Sequence, residues 1–256
     1  MTHYTISMRQ KGMWYLVIFA GGFNAVSLSS FWFVTHPAHI ASHHTLSEFH
    51  LPAEELTLTT EDGLRLSAWF IPSAANSKQA IVILHGYPAD KTDMLYQAAS
   101  LYPDFTLLLL DLRSFGKSEG SMTTLGVKER LDVKAALDFL ESRGYEHIGV
   151  FGFSLGGAVA LMTAAEDTRI AAVASYAAFA DLRKLGYDAY TSLSVLKYPL
   201  VELMILWSKI FFGESAVAFS PRDAVSSLSI PVLLLHSQGD EQIDFSDIPE
   251  LDDHFW

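Results

Sequence analysis

Residues 147–165 read HIGVFGFSLGGAVALMTAA, and the parsing of this stretch decides the fold. Ile148 to Phe151 form a short apolar run of the kind that lies as a strand buried on both faces. The segment GAVALMTAA that follows is dominated by Ala, Leu and Met, which favour a helix. Between them stands Gly152, Phe153, Ser154, Leu155, Gly156, a G-x-S-x-G pattern. Small residues on both sides of the serine let the chain reverse tightly from strand to helix and leave the hydroxyl projecting. The pattern alone recurs by chance in glycine-rich turns; with a strand before it and a helix after it, a nucleophile elbow is the expected reading. A serine hydroxyl attacks only when a base takes its proton, and the oxyanion it creates needs donors aimed at it. The backbone N–H of Leu155, at the start of the helix, is one predicted donor.

Outward from the elbow, apolar runs at 80–84, 105–110, 170–175 and 231–235 alternate with helical stretches, such as Val133, Ala136, Leu137 and Leu140 at a helical period. Residues 55–72 contain ELTLTT, then EDG, then LRLSAWFIP, two alternating segments around a turn at Gly63 that predict an antiparallel hairpin. The pattern predicts an α/β domain with a mostly parallel sheet and helices on both faces. The run ending at Leu84 is followed by His85, Gly86, Tyr87 and Pro88. Pro88 has no N–H, so the Tyr87 amide is the second predicted oxyanion donor, with His85 structural.

The chain has 256 residues, half of them hydrophobic, with 17 Lys and Arg against 29 Asp and Glu. A formal charge of −12 disfavours binding to nucleic acid. The absence of cysteine excludes disulfides, a thiolate nucleophile and cysteine-ligated metal. No charged residue occurs from Met13 to Thr35, and the 22-residue run MWYLVIFAGGFNAVSLSSFWFV is long enough for a bilayer core of about 30 Å. Arg9 and Lys11 precede it and Glu48 is the first acid after it, which predicts a cytoplasmic N-terminus and a catalytic domain on the non-cytoplasmic side. The alternative is a signal peptide processed near Ala25, Val26 and Ser27, giving a secreted protein. His36, His39, His43 and His44 follow, with Pro37 breaking their helical spacing and no acidic residue among them; they read as a polar linker over 36–50, and no metal is expected.

The chain resembles α/β-hydrolases, in particular membrane-anchored bacterial proteins similar to serine aminopeptidase-like esterases and lipases. The matching pieces are EDGLRLSAWFIP, HGYPADK, DLRSFGKSEG, GFSLGG and PVLLLHSQGDEQI, from about residue 54 to 243. The resemblance implies that Asp240, in HSQGD, is the acid that orients a catalytic histidine. Asp181 is the weaker rival, because some hydrolases place the acid after the preceding strand. It also implies that Asp111 and Arg113 support the fold. The expected division is an anchor over 1–35 and a hydrolase domain over 51–256, with a cap insert at about 181–219 rich in Tyr, Leu and Phe.

One expectation of the family is not met. The catalytic histidine should follow a further helix and strand beyond the acid, and only 16 residues follow Asp240. A helix of about 11 residues and a strand of about 5 would consume them without turns, so the last strand and helix are expected to be missing. His254 in the tail is the weak candidate, while His147 and His236 read as structural. The expected function is hydrolysis of a small hydrophobic ester, or a related amide or thioester, through an acyl-enzyme on Ser154, without a cofactor. The alternatives are an impaired or truncated, membrane-tethered binding module that keeps the hydrolase shell, and a peptidase using the same triad.

Overall fold

A computed structural model describes residues 8–38, 44–75, 77–240 and 243. The chain opens with a long helix α1 (Met8–Thr35) and a single turn α2 (Leu46–Phe49). The hairpin β1 (Glu54–Thr59) and β2 (Arg65–Ile71) leads to β3 (Gln79–Leu84), α3 (Leu95–Leu101), β4 (Thr106–Leu110), α4 (Glu129–Ser142), β5 (His147–Phe153) and α5 (Leu155–Ala164). Then come β6 (Ile170–Tyr176), α6 (Leu182–Ala189), α7 (Lys197–Phe212), α8 (Pro221–Val225) and β7 (Val232–Leu235). Each predicted strand is present, its ends within two residues of the apolar run.

The strands form one sheet in the order β1-β2-β4-β3-β5-β6-β7. The hairpin pairs antiparallel and β2 joins β4 antiparallel, while β4, β3, β5, β6 and β7 run parallel. After β3 the chain moves outward to β4 and then returns to the other side of β3 as β5. The order therefore reverses between β3 and β5, and a crevice opens at the carboxyl ends of the strands at such a point.

Both faces of the sheet are covered, which is why the central strands read as unbroken apolar runs rather than alternating ones. In β4, Leu108 and Leu110 pack with Val133, Leu137 and Ala158 on one face, while Leu107 and Leu109 pack with Trp69, Met94 and Leu95 on the other. All four leucines are fully buried.

The DLRSFGKSEG turn after β4 is held by ion pairs. The Arg113 guanidinium donates to Asp132 Oδ1 at 2.9 and 2.7 Å and to Asp62 at 2.8 and 3.1 Å, tying the hairpin turn to α4. Asp111 accepts from the Lys91 and Lys117 amides at 2.8 and 2.9 Å and pairs with the Lys91 ammonium. Both side chains act within the framework, as expected of them.

The hydrogen bonds from Arg113 lower the Asp62 carboxyl to about 2. A carboxyl whose folded value lies below its ordinary value of about 3.9 stabilises the fold above that value and ceases to do so as the pH falls towards 2. The difference in unfolding temperature between wild type and Asp62→Asn is therefore expected to be largest above pH 5 and to shrink as the pH is lowered to 2.5. A constant difference across that range would show that the ion pair adds nothing.

Between β6 and β7 the chain leaves the sheet as α6, a 3-10 turn (Thr191–Leu196) and α7. Beyond Lys11 α1 carries no charged residue, and its mean hydropathy reaches 1.6 over 18 residues, a length and composition shared by membrane anchors and signal sequences. Its last turns pack on α7: Ser27, Phe31 and Thr35 are buried, and the Phe31 ring lies 5.5 Å from both Phe211 and Phe212.

Candidate functional site

Ser154 lies in the turn between β5 and α5 with φ 51° and ψ −114°, a region that non-glycine residues rarely occupy. Such a conformation costs on the order of 1–3 kcal/mol and persists only where the surroundings impose it. Two main-chain bonds do so: the Ser154 amide donates to the Tyr176 carbonyl at 2.8 Å, and the Ser154 carbonyl accepts from Ala158 at 3.0 Å. The side chain makes no capping bond to the helix it precedes. The hydroxyl thus stands at the carboxyl edge of the sheet and at the amino end of α5.

The tightness of the bend explains its glycine content. A Cβ on Gly156 would stand 2.6 Å from the carbonyl oxygens of Leu84 and His85, which are main chain and cannot swing aside. Gly156→Ala is accordingly expected to force α5 away from β3, with a stability loss of about 1–3 kcal/mol. Thermal unfolding of the variant checks this, and an unchanged midpoint would mean that the helix start is looser than described.

The His85–Pro88 loop closes on the serine from β3. A Cβ on Gly86 would meet Phe153 Cδ1 at 2.8 Å and Ser154 Cβ at 3.2 Å, so only glycine lets the two loops come this near. The Tyr87 ring packs against Phe115 at 5.9 Å. Among the described residues, neither the Tyr87 nor the Leu155 N–H has an acceptor.

The remaining predicted residues fall as follows. Asp240 lies in the turn after β7, its Oδ1 accepting from the Ile243 amide at 3.0 Å and its Oδ2 3.7 Å from His236 Nε2. Asp181 is engaged elsewhere: its carboxylate caps α6 through the Arg183 and Lys184 amides at 2.7 and 3.2 Å and meets Arg222 at 3.2 Å. His85 is fully buried, donating from Nδ1 to the Gly86 carbonyl at 2.8 Å and accepting at Nε2 from the Leu112 amide at 3.1 Å. Burial lowers its pKa, and with both nitrogens occupied it is a neutral structural imidazole. His236 Nε2 donates to the Ile243 carbonyl at 2.9 Å, and His147 is exposed at the start of β5, the opposite edge of the sheet from Ser154. His254 lies outside the described residues, and among those described no imidazole is hydrogen-bonded to the Ser154 hydroxyl.

The linker histidines are divided. His36 stacks on Trp32 at 3.7 Å, and His44 packs edge-on against Tyr96 at 5.2 Å beside Glu48. His39 and His43 lie outside the described residues. Among those described, no three potential ligands converge as a metal site would require.

Tyr87, Ser154, Leu155 and Asp240, which come from loops after three different strands, line one cavity of about 800 Å³. Its other walls include Leu182, Leu185 and Tyr190 of the α6 segment, Val201, Met204 and Phe212 of α7, and Phe31, Val34 and Thr35 of α1. The contribution of α1 is absent from the sequence reading. Nothing in the local pattern signals it, because a helix apolar on every side has no face that marks a contact.

A family model described as alpha/beta hydrolase fold matches residues 79–201. The chain is 30% identical over 209 residues to the protein YfhR of Salmonella typhi, a match that covers 78% of this chain and 68% of that protein. In fold it is similar to an esterase of Pyrococcus furiosus, with TM-score 0.71, 24% identity and coverage of 87% of this chain and 84% of that one. It is also similar in fold to an acylaminoacyl peptidase of Pyrococcus horikoshii, with TM-score 0.58, 16% identity and coverage of 79% of this chain and 35% of that one.

Proposed function

The chain belongs to the α/β hydrolase fold family, and from that premise we propose that it is a serine hydrolase cleaving carboxylic esters with hydrophobic acyl groups. The observation that carries the reading is the Ser154 backbone at φ 51°, held in a strained bend facing the cavity. Strain of this kind clusters at active sites.

In the proposed reaction Ser154 Oγ attacks the acyl carbonyl while its proton passes to a histidine. The Tyr87 and Leu155 amides donate to the oxyanion, and the amino end of α5 adds its favourable dipole. As the tetrahedral intermediate collapses, the ester C–O bond breaks and the histidine returns the proton to the leaving alcohol. Water, giving a proton to the histidine, then attacks the acyl carbonyl carbon; the carbon–Oγ bond breaks, the acid leaves and the histidine returns the proton to Oγ. Asp240 holds the histidine in its working tautomer. No metal or organic cofactor takes part in this scheme. Related amide and thioester bonds have the same electrophilic carbonyl and would follow the same course.

A membrane location accompanies this reading. Arg9 and Lys11 in the first turns of α1 favour a cytoplasmic amino end with the hydrolase domain on the other side. The Ser27 hydroxyl donates to the Leu200 carbonyl at 3.3 Å, a contact that cleavage after Ser27 would remove from the chain, so an uncleaved anchor is favoured over a signal peptide.

The test is a fluorophosphonate probe followed by peptide mass spectrometry. Labelling at Ser154 is expected; folded protein without labelling overturns the reading. The second reading is a tethered binding module with the hydrolase shell, favoured by the lack of an imidazole on the Ser154 hydroxyl among the described residues. Equal p-nitrophenyl butyrate turnover by wild type and Ser154→Ala would establish it instead.

A further inference from the structure

Resting on the reading of Ser154 as an acyl-transfer nucleophile, we propose that α1 forms a wall of the acyl-binding cavity. The acyl chain it receives is that of a membrane phospholipid, entering from the bilayer along the seam between α1 and α7.

α1 changes character along its length. No residue from Met8 to Val26 is buried, whereas Ser27, Phe31 and Thr35 are. At 1.5 Å per residue the uncharged exposed part, residues 12–26, is roughly 22 Å long, most of the thickness of a bilayer's hydrocarbon core of about 30 Å. A plain tether would end there in a linker. This helix continues unbroken to Thr35, whose carbonyl accepts from the Thr123 amide at 2.9 Å, so its last turns are built into the domain.

Those last turns face the site. Phe31, Val34 and Thr35 line the same cavity as Ser154, with Met204 and Ile205 of α7 among the other walls. A volume of about 800 Å³ falls in the range of about 300–1,000 Å³ that encloses extended organic ligands. Among the described lining residues only Asp188 and Asp240 are charged, which suits an uncharged hydrocarbon chain.

The outside of the seam points the same way. Leu206, Ile210 and Phe211 of α7 are 49%, 60% and 44% exposed, and Phe211 stacks on Phe31 of α1. The apolar surface of the spanning helix thus continues onto the cap. Contiguous apolar surface of this kind marks a membrane or partner contact, and continuity with a helix of spanning length selects the membrane. A phospholipid chain already in the leaflet beside α1 reaches the cavity without crossing water.

The experiment places the full chain in phosphatidylcholine vesicles containing a phosphatidylcholine with a diazirine at the acyl end. After irradiation, adducts are expected on Met204 and Ile205 as well as on the exposed turns from Leu16 to Val26. Val34→Trp, which fills the cavity from α1, should cut the α7 adducts at least fivefold and leave the others unchanged. Phe33→Trp, on the 77% exposed face of the same turn, should change neither. Ile205→Trp fills the cavity from α7 and should reproduce the loss in adducts at Met204, so the outcome does not depend on the folding of one variant. Adducts confined to Leu16–Val26, or equal effects of Val34→Trp and Phe33→Trp, would overturn the proposal. Fluorophosphonate labelling in the same vesicles separates the two claims. Labelled Ser154 without cavity adducts removes the lipid route alone; cavity adducts on unlabelled protein remove the hydrolase reading and, with it, the assignment of the bound chain as a substrate.

Discussion

Ser154→Ala should abolish fluorophosphonate labelling and lower kcat for p-nitrophenyl butyrate by about a thousandfold or more, while KM moves little. The asymmetry follows from what the substitution removes. In the proposed reaction the Tyr87 and Leu155 amides, the cavity walls and Asp240 would all remain, so the ester should still bind; only the atom proposed to form the acyl bond is lost. Loss of the nucleophile in an assembled serine site costs far more than the residual contribution of the oxyanion donors, which sets the scale. The folded state should be unharmed, because the Ser154 hydroxyl makes no hydrogen bond to the helix it starts. A glycine in its place should stabilise the protein, since φ 51° is unstrained for glycine and strained for serine. Activity and stability moving in opposite directions at one residue is the signature of strain kept for function. A Ser154→Gly variant that is both inactive and less stable than Ser154→Ala would refute the claim that the bend is strained.

The strands and the elbow could be read from the sequence because their signals are local. TLLLL at 106–110 admits little besides a strand covered on both faces, and the serine between two glycines after IGVF has one economical conformation. The order of the strands is a different matter. That β3 lies between β4 and β5 depends on the directions the crossovers take over the sheet, which no single segment encodes, so the sequence predicts the strands without their order. Asp181 stands in the sequence as the weaker rival to Asp240 for a similar reason. An aspartate after a strand suits either catalysis or the start of a helix, and the two amides of α6 that it caps become visible only with the chain folded. The partnership of α1 with α7 was hidden most completely. Phe31 and Phe33 are chemically alike and two residues apart, yet one is buried against Phe211 and Phe212 and the other is exposed.

Asp111→Ala is expected to destabilise the protein by about 3–5 kcal/mol, because it leaves the ammonium of Lys91 buried without its counter-charge. Lys91 and Asp111 are 2% and 1% exposed. Apart from Asp111, the ammonium has the Ser67 hydroxyl at 2.9 Å and the Trp69 ring at 4.9 Å, neither of which supplies a full negative charge. At about 2–4 °C per kcal/mol for a domain of this size, the unfolding midpoint should fall by roughly 10 °C. The loss bears on the site as well, since Lys91 follows the loop that carries Tyr87, and its amide is fixed by Asp111 at 2.8 Å. The double variant Lys91→Met with Asp111→Leu separates charge from anchoring. An apolar pair of similar volume removes the uncompensated cation, so most of the stability should return. The Lys91 and Lys117 amides would still lack their acceptor, so the loop should stay loose and fluorophosphonate labelling at Ser154 should remain slow. A double variant no more stable than Asp111→Ala would assign the loss to the two orphaned amides, and one that labelled at the wild-type rate would show that the Tyr87 loop keeps its position without the carboxylate.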